Sequence, residues 1–171
     1  MSITLHRMTS ADSRETVEWI TRQYGFDRNE VAWWVENLHF NWPLSVKATD
    51  DNGTTIGLLN MSDYRIEEET EAISSEQPEL LQKLNALRYT AVFSFIVAEP
   101  YRHSPLNQQM IMEIWEELKA NYDFVFVPVM HRLKTHQYWK RRGAIEFFRD
   151  QQSVYYLLPL NSSLDWFESR L

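Results

Sequence analysis

Two apolar runs, Thr90–Val97 and Phe124–Val129, flank a helical stretch from Ser104 to Asn121. Runs of this kind read as strands buried in a sheet, and the second has the pattern of a sheet centre covered on both faces. A helix between two such strands confines the chain to α/β or α+β architectures. The first strand enters a tight polar turn, and the turn opens directly into the helix. Ser104 suits the N-cap, and Pro105 suits the first helical position, where its missing N–H is an orphan in any case. This layout aims main-chain N–H groups and a helix dipole into the turn beside Arg102 and His103, as in many phosphate sites. The turn contains no glycine, however, and Pro105 removes one donor. An ordinary connection, its donors met by Ser104 and water, is the alternative.

The other elements follow from periodicity and turn chemistry. Ile3–Arg7 alternates apolar and polar side chains and predicts a short edge strand. Thr9, Ser10 and Asp12 supply caps for a helix through Tyr24, with Val17, Ile20 and Tyr24 on one face and Gly25 closing it. Asp27 or Asn29 opens a second helix carrying Val31, Trp34, Val35 and Leu38, broken at Phe40-Asn41-Trp42-Pro43. Ser45–Met61 predicts a β-hairpin around Asp51-Asn52-Gly53. Tyr64–Ser75 is acidic, poor in apolar residues, and reads as a solvated loop. Pro78–Arg88 predicts a short helix offering Leu80, Leu81, Leu84 and Leu87 for burial. In the central helix Leu106, Met110, Ile114 and Leu118 share one face. Thr135–Arg142 is a short helix closed by Gly143, and Ala144–Arg149 with Ser153–Leu158 forms a last strand pair. Ser162 caps a tail with Leu164, Trp166 and Phe167. The order β-α-α-β-β-(α)-β-α-β-α-β-β describes an α/β (α+β) fold with a mixed central sheet flanked by helices. No linker divides it, so residues 1–171 are expected to form one domain, with 162–171 a short helical tail.

At 171 residues the chain has the size of a single domain, which buries roughly 70% of its unfolded surface. Its seven Trp exceed what such a core needs, leaving some for a pocket or a contact with a protein partner or a second copy. The absence of Cys excludes disulfides, a thiolate nucleophile and thiolate metal sites. It fits a reducing compartment, and a cytoplasmic location is expected. Met1–Ile20 lacks the basic-then-apolar pattern of a signal peptide, and no window approaches the roughly 18 apolar residues of a membrane span. No membrane association is expected. A net charge of −7 argues against a nucleic-acid partner, since Lys140, Arg141 and Arg142 form the one local basic cluster. The five His are scattered, and the spacing of His131 and His136 suits no shared metal on a helix face. Glycine-flanked serine, GxxxxGK and GxGxxG motifs are absent.

Val97-Ala98-Glu99-Pro100-Tyr101-Arg102, followed by an amphipathic helix and an apolar strand, resembles the acyl-CoA-binding core of the GNAT acetyltransferase superfamily. His136-Gln137-Tyr138-Trp139-Lys140-Arg141-Arg142-Gly143-Ala144 is similar to that superfamily's aromatic-pair segment ending in glycine. The opening strand with Thr9–Asp12, and the hairpin around Gly53 and Gly57, also sit where the family has them. The resemblance implies an N-acyltransferase that moves an acyl group from acetyl-CoA, or another acyl-CoA, to a small-molecule or protein amine. It implies that the main chain of Phe95, Ile96 and Val97, with Arg102, His103, Ser104, Leu106 and Asn107 in the turn and helix start, holds the cofactor.

The chain departs from the family pattern in both motifs. The glycines of the family's turn fall on His103, Pro105 and Asn107, where a Cβ or a proline ring hinders close approach of a phosphate. The tyrosine that often protonates the departing thiolate falls on Trp139, whose indole N–H has no useful acidity. Tyr138 is the remaining candidate proton donor, though both rings packing against the sheet is the plainer alternative. Glu99 and His131 are candidate general bases near strand ends. Glu67, Glu68, Glu69 and Glu71 fall where the family often builds its acceptor side, or simply keep a loop soluble. With both motifs altered, the alternative is a GNAT-fold protein that has lost CoA and acts as a protein-binding or structural module. Divergent proteins with eroded glycine loops are familiar in tailed phages, and 110–148 has something of their character.

Overall fold

The computed structural model describes residues 1–169. Seven strands hydrogen-bond in the order β1–β2–β3–β4–β5–β7–β6. They are β1 (Thr4–Arg7), β2 (Val46–Thr49), β3 (Thr55–Ser62), β4 (Tyr89–Val97), β5 (Phe124–Met130), β6 (Ile145–Arg149) and β7 (Ser153–Pro159). The sheet is mixed: β4 and β5 run parallel, while β1–β2, β2–β3, β5–β7 and β6–β7 are antiparallel. The helices are α1 (Ser13–Tyr24), α2 (Arg28–Asn37), α3 (Ile66–Glu69), α4 (Ala72–Glu76), α5 (Pro78–Asn85), α6 (Leu106–Asn121), α7 (His136–Arg141) and α8 (Asp165–Glu168). The mixed α/β class and element order match the sequence pattern, except that three short helices stand where one was expected between β3 and β4. The chain forms two compact units, Met1–Asp63 with Val92–Glu116, and Tyr64–Ala91 with the chain from Glu117 on.

In the first unit Thr9 caps a tight turn ahead of α1, whereas Asp12 makes no side-chain cap bond to α1 itself. Thr9 accepts from Ala11 N while Asp12 Oδ2 accepts from Thr9 N, and a tight turn at Ser10–Asp12 leads into α1. Gly25 ends α1 at a φ of 72°, a left-handed conformation that glycine adopts without penalty. Asp27 caps α2 by accepting from Glu30 N at 3.0 Å. The buried faces of the two helices, Val17, Ile20, Val31 and Val35, meet Ile96 of β4. Gly57 of β3 faces α6 closely: a Cβ there would lie 2.9 Å from Met110 Sδ and 3.5 Å from the Ile96 carbonyl.

In the second unit the parallel ladder registers Tyr89–Ala91 against Phe124–Phe126. β5 also pairs along its other edge, from Phe124 against Pro159 to Met130 against Ser153, and its consecutive residues Phe124, Val125, Phe126 and Val127 are all buried, so both of its faces are covered. Asp123 ties the unit together: its carboxylate accepts from Arg88 N, Arg88 Nη2, Asn161 Nδ2 and Ser163 Oγ. The cap of the C-terminal segment is Asn161, which accepts from Ser163 N, and not Ser162. Leu164 and Phe167 are buried there, and the last two residues of the expected tail lie outside the described ones.

Tyr64–Ser75 is not a solvated loop. Tyr64, Ile66, Thr70 and Ile73 are buried. Ile66 N donates to Tyr89 Oη, Thr70 Oγ1 donates to Asp150 Oδ2, and the Arg65 guanidinium lies 4.4 Å from the Tyr89 ring centroid. Ile66 and Ile73 sit on different short helices, so no single helical period runs through the segment to reveal them.

Candidate functional site

The end of β4, the turn and the head of α6 lie in the first unit, which takes in Val92–Glu116. β4 ends at Val97, Ala98 N donates to Ile56 O at 2.8 Å, and a tight turn at Glu99–Tyr101 follows. The turn spends several of its donors on itself. Tyr101 N reaches Ala98 O, Arg102 N reaches Glu99 O, and Ser104 N reaches Tyr101 O. The Ser104 hydroxyl donates to Tyr101 O at 2.6 Å and accepts from Leu106 N at 3.3 Å. The first regular helical bond here is Gln109 N to Pro105 O, 3.0 Å. Among the described residues, no acceptor meets the N–H groups of His103, Asn107 and Gln108. Three orphan donors therefore remain at the head of α6, a helix of 16 residues whose dipole favours negative charge there.

Side chains add to this set. Arg102 is exposed; its Nε donates to Val97 O at 3.3 Å, and among the described residues its terminal nitrogens make no ion pair. Those nitrogens are the kind of donor fork that matches a phosphate. The Asn107 carboxamide oxygen is buried without a hydrogen-bond partner among the described residues. A carboxamide turned over would present its NH2 at the same place. His103 is exposed and projects from the turn. Phe95 is half-buried, whereas Ile96 and Val97 are buried, and Val97 already lends its carbonyl to Arg102. Glu99 is exposed.

The remaining candidates lie in the second unit. His131 is exposed and donates from Nε2 to Asp150 O at 2.8 Å. That bond pins its ring to the β6–β7 hairpin. His136 at the start of α7 meets Met130 O through Nε2 (3.1 Å) and the Tyr156 hydroxyl through Nδ1 (2.8 Å). A carbonyl only accepts, so Nε2 carries the hydrogen and Nδ1 of the neutral ring accepts from Tyr156. Tyr138 is half-buried, and burial raises its hydroxyl above the usual tyrosine range against an opposing pull from Arg142. The Arg142 guanidinium sits 4.8 Å from its ring centroid. Trp139 is buried and meets Tyr138 edge to face at 5.1 Å, so of the aromatic pair it is the core member. The His136–Tyr156 bond was not legible in the sequence, because its partners belong to separate elements without a shared spacing.

No protein-family model matches the sequence, and no curated protein does. Solved structures do. A GNAT-family acetyltransferase from Staphylococcus aureus superposes with a TM-score of 0.65 at 14% identity, covering 94% of this chain and 100% of that one. A putative GNAT-family acetyltransferase from Desulfovibrio desulfuricans gives 0.62 at 13% identity, covering 94% and 100%. The PaiA N-acetyltransferase of Thermoplasma acidophilum, in complex with coenzyme A, gives 0.58 at 11% identity, covering 93% and 99%. The chain has the GNAT fold.

Within this GNAT fold, the residues from Phe95 to Asn107 are contiguous in one compact unit, and Tyr138 belongs to the other. One open depression of about 540 Å³ is lined by Met1, Ile3, Leu5, Gln109, Met112 and Glu113, and another of about 590 Å³ includes Lys140, Ile145 and Phe148. No helix among the described residues is long and apolar enough to cross a membrane.

Proposed function

We propose that the protein is an N-acyltransferase that takes acetyl-CoA or another acyl-CoA as donor and an amine as acceptor. The observation that carries this reading is the set of unspent donors at the head of α6: the N–H groups of His103, Asn107 and Gln108 together with the Arg102 fork. They fit a pyrophosphate, whose oxygens accept only. The Asn107 carboxamide, whose oxygen has no partner among the described residues, adds an NH2 donor to this set when turned over. When bound, the cofactor supplies an acyl carbonyl activated as a thioester. The main chain of Phe95–Val97 would align its arm, and the turn would fix its phosphates. Tyr138, whose hydroxyl burial raises above the usual tyrosine range, keeps a proton to donate at neutral pH and is the candidate general acid of its own unit. Glu99, exposed at the end of β4, is the candidate to take the proton from the amine.

One set of observations favours a second reading, a GNAT-fold module without cofactor. Arg102 folds onto Val97 O, Trp139 is locked in the core, and side chains replace all the turn glycines. Titration with acetyl-CoA and desulfo-CoA, followed by thermal unfolding, separates the two. A ligand that binds only the folded state raises the unfolding temperature with concentration, by about 2.7 kcal/mol of stability at a hundredfold excess over Kd. A rising melting temperature supports the transferase; no shift at millimolar CoA leaves the module.

A further inference from the structure

β6 is the last strand of the sheet. It pairs with β7 on one side, and among the described residues no backbone hydrogen bond reaches its other side. The open depression of about 590 Å³ lies against it, lined by Lys140 and by Ala144, Ile145, Glu146, Phe147 and Phe148 in unbroken succession. Side chains of a strand alternate between faces, so a depression that takes in consecutive residues runs along the edge, where main-chain N–H and C=O groups stand open. The register of β6 shifts between Glu146 and Phe148, and the rings of Phe147 and Phe148 turn inward to Phe126 and Tyr155. Tyr156, on the opposite face of β7 from Tyr155, bonds His136 at the start of α7. The edge is therefore flanked by apolar rings on one face and by α7 on the other. Lys140 of α7 lines the depression and Arg141 follows it; both are exposed, and neither makes an ion pair among the described residues. The carboxylate of Glu146 is already engaged by Arg149 Nε at 2.8 Å.

We propose that the β6 edge is a docking site for an extended acidic segment of another protein, which adds a strand to the sheet with its carboxylates toward Lys140 and Arg141. In this mode main-chain pairing supplies affinity and alternate side chains supply selection. Charge decides between occupants. A second copy, paired through its own β6 about a two-fold axis, would bring the two α7 cation sets together on one face, like charge against like. The register shift also bends the edge, which suits a short flexible segment better than a flat preformed strand. A nucleic acid has no peptide backbone to pair with a strand, and the net charge of −7 repels it. The edge and α7 belong to the second unit and involve no cofactor, so the proposal is independent of the transferase reading.

The test is fluorescence anisotropy, at low ionic strength, of a labelled, end-capped pentapeptide of alternating glutamate and valine. The expected result is saturable binding that Lys140→Glu weakens at least about tenfold. Lys134→Glu makes the same change of net charge at an exposed lysine outside the depression and should leave binding unchanged. The same peptide N-methylated at every internal amide keeps its charge but cannot donate to the edge, and should not bind. That comparison uses the wild-type protein, so it decides even if Lys140→Glu does not fold. Hydrogen exchange should slow at the amides of 145–149 when the unmodified peptide is present. Equal binding of the N-methylated peptide would reduce the site to a charge effect and overturn the proposal. Equal binding of a lysine–valine peptide, tighter binding of oligouridylate, or no binding at millimolar peptide overturns it as well. So does a dimer by sedimentation whose 145–149 amides are protected without peptide, since a second copy would then occupy the edge.

Discussion

Single residues of the first unit carry unmet hydrogen-bonding capacity, and its position separates structure from function. Thr16, on the buried face of α1, is fully buried, and its hydroxyl has no partner among the described residues. An unpaired buried hydroxyl costs about 1–3 kcal/mol of desolvation, while a methyl of the same shape costs none. Thr16→Val should therefore raise stability by about 1 kcal/mol, read as a higher urea midpoint with an unchanged slope; a lower midpoint would reveal a hidden partner. At the head of α6 the unmet groups are donors beside an exposed turn, which is where a ligand can use them. On the proposed transferase reading, Arg102→Ala should weaken CoA binding by about 1.5–3 kcal/mol, or roughly 10- to 100-fold in Kd. Arg102→Lys should lose part of that, since it keeps the charge but not the fork. Calorimetric titration measures both, and an unchanged Kd in Arg102→Ala would place the pyrophosphate elsewhere.

Elements with a sustained period were legible, and those assembled from short pieces were not. Leu106, Met110, Ile114 and Leu118 are all buried along one face of α6, as their four-residue steps require. The segment after β3 gave no such signal, because its buried Tyr64, Ile66, Thr70 and Ile73 are shared among a turn and two short helices. The local geometry of the candidate site was legible to a similar depth. Chain order located the turn, but not that Ser104 spends its hydroxyl on Leu106 N and leaves Asn107 and Gln108 as the open donors. Neighbours on a helix diverge by about 100°, so one of Tyr138 and Trp139 had to face the core; packing alone decided that it is Trp139. The contact of β3 with α6 was equally hidden, although Gly57 marked it. In Gly57→Ala the new Cβ meets Met110 Sδ, a fully buried atom at the flexible end of its side chain. A destabilisation of about 1–2 kcal/mol is expected, and Met110→Ala in the same chain should relieve the clash while adding its own cavity cost. Denaturant unfolding of the two single variants and the double variant would show the coupling; strict additivity would mean that the two residues do not press on each other.

For the whole molecule, the acid limit of stability is set by carboxylates that folding supplies with donors, and Asp123 is the most heavily supplied. Burial alone would raise its pKa. The hydrogen bonds from the Arg88 side chain and main chain, Asn161 and Ser163 outweigh burial and hold it well below the ordinary carboxylate range. Asp150, under the Tyr155 hydroxyl and the Ser153, Gln152 and Thr70 donors, is lowered in the same way. The sign follows from linkage: a group whose pKa is lower folded than unfolded binds more protons unfolded, so stability falls as pH falls. The contribution of Asp123 is complete above its unfolded value of about 3.9 and is lost as pH drops below that value through the folded one. Asp123→Asn keeps the shape but exchanges one acceptor oxygen for a donor that faces the Arg88 and Asn161 donors. It should cost about 2–4 kcal/mol at pH 7 and flatten the stability profile between about pH 4 and pH 2. Urea unfolding of both proteins across that range provides the comparison. The segments that Asp123 joins, at Arg88, at Asp123 itself and at Asn161–Ser163, are distant in the chain, so its loss should lower the unfolding midpoint of the second unit as a whole and not merely fray the C-terminal segment. Parallel profiles for the two proteins below pH 4 would show that other carboxylates set the acid limit.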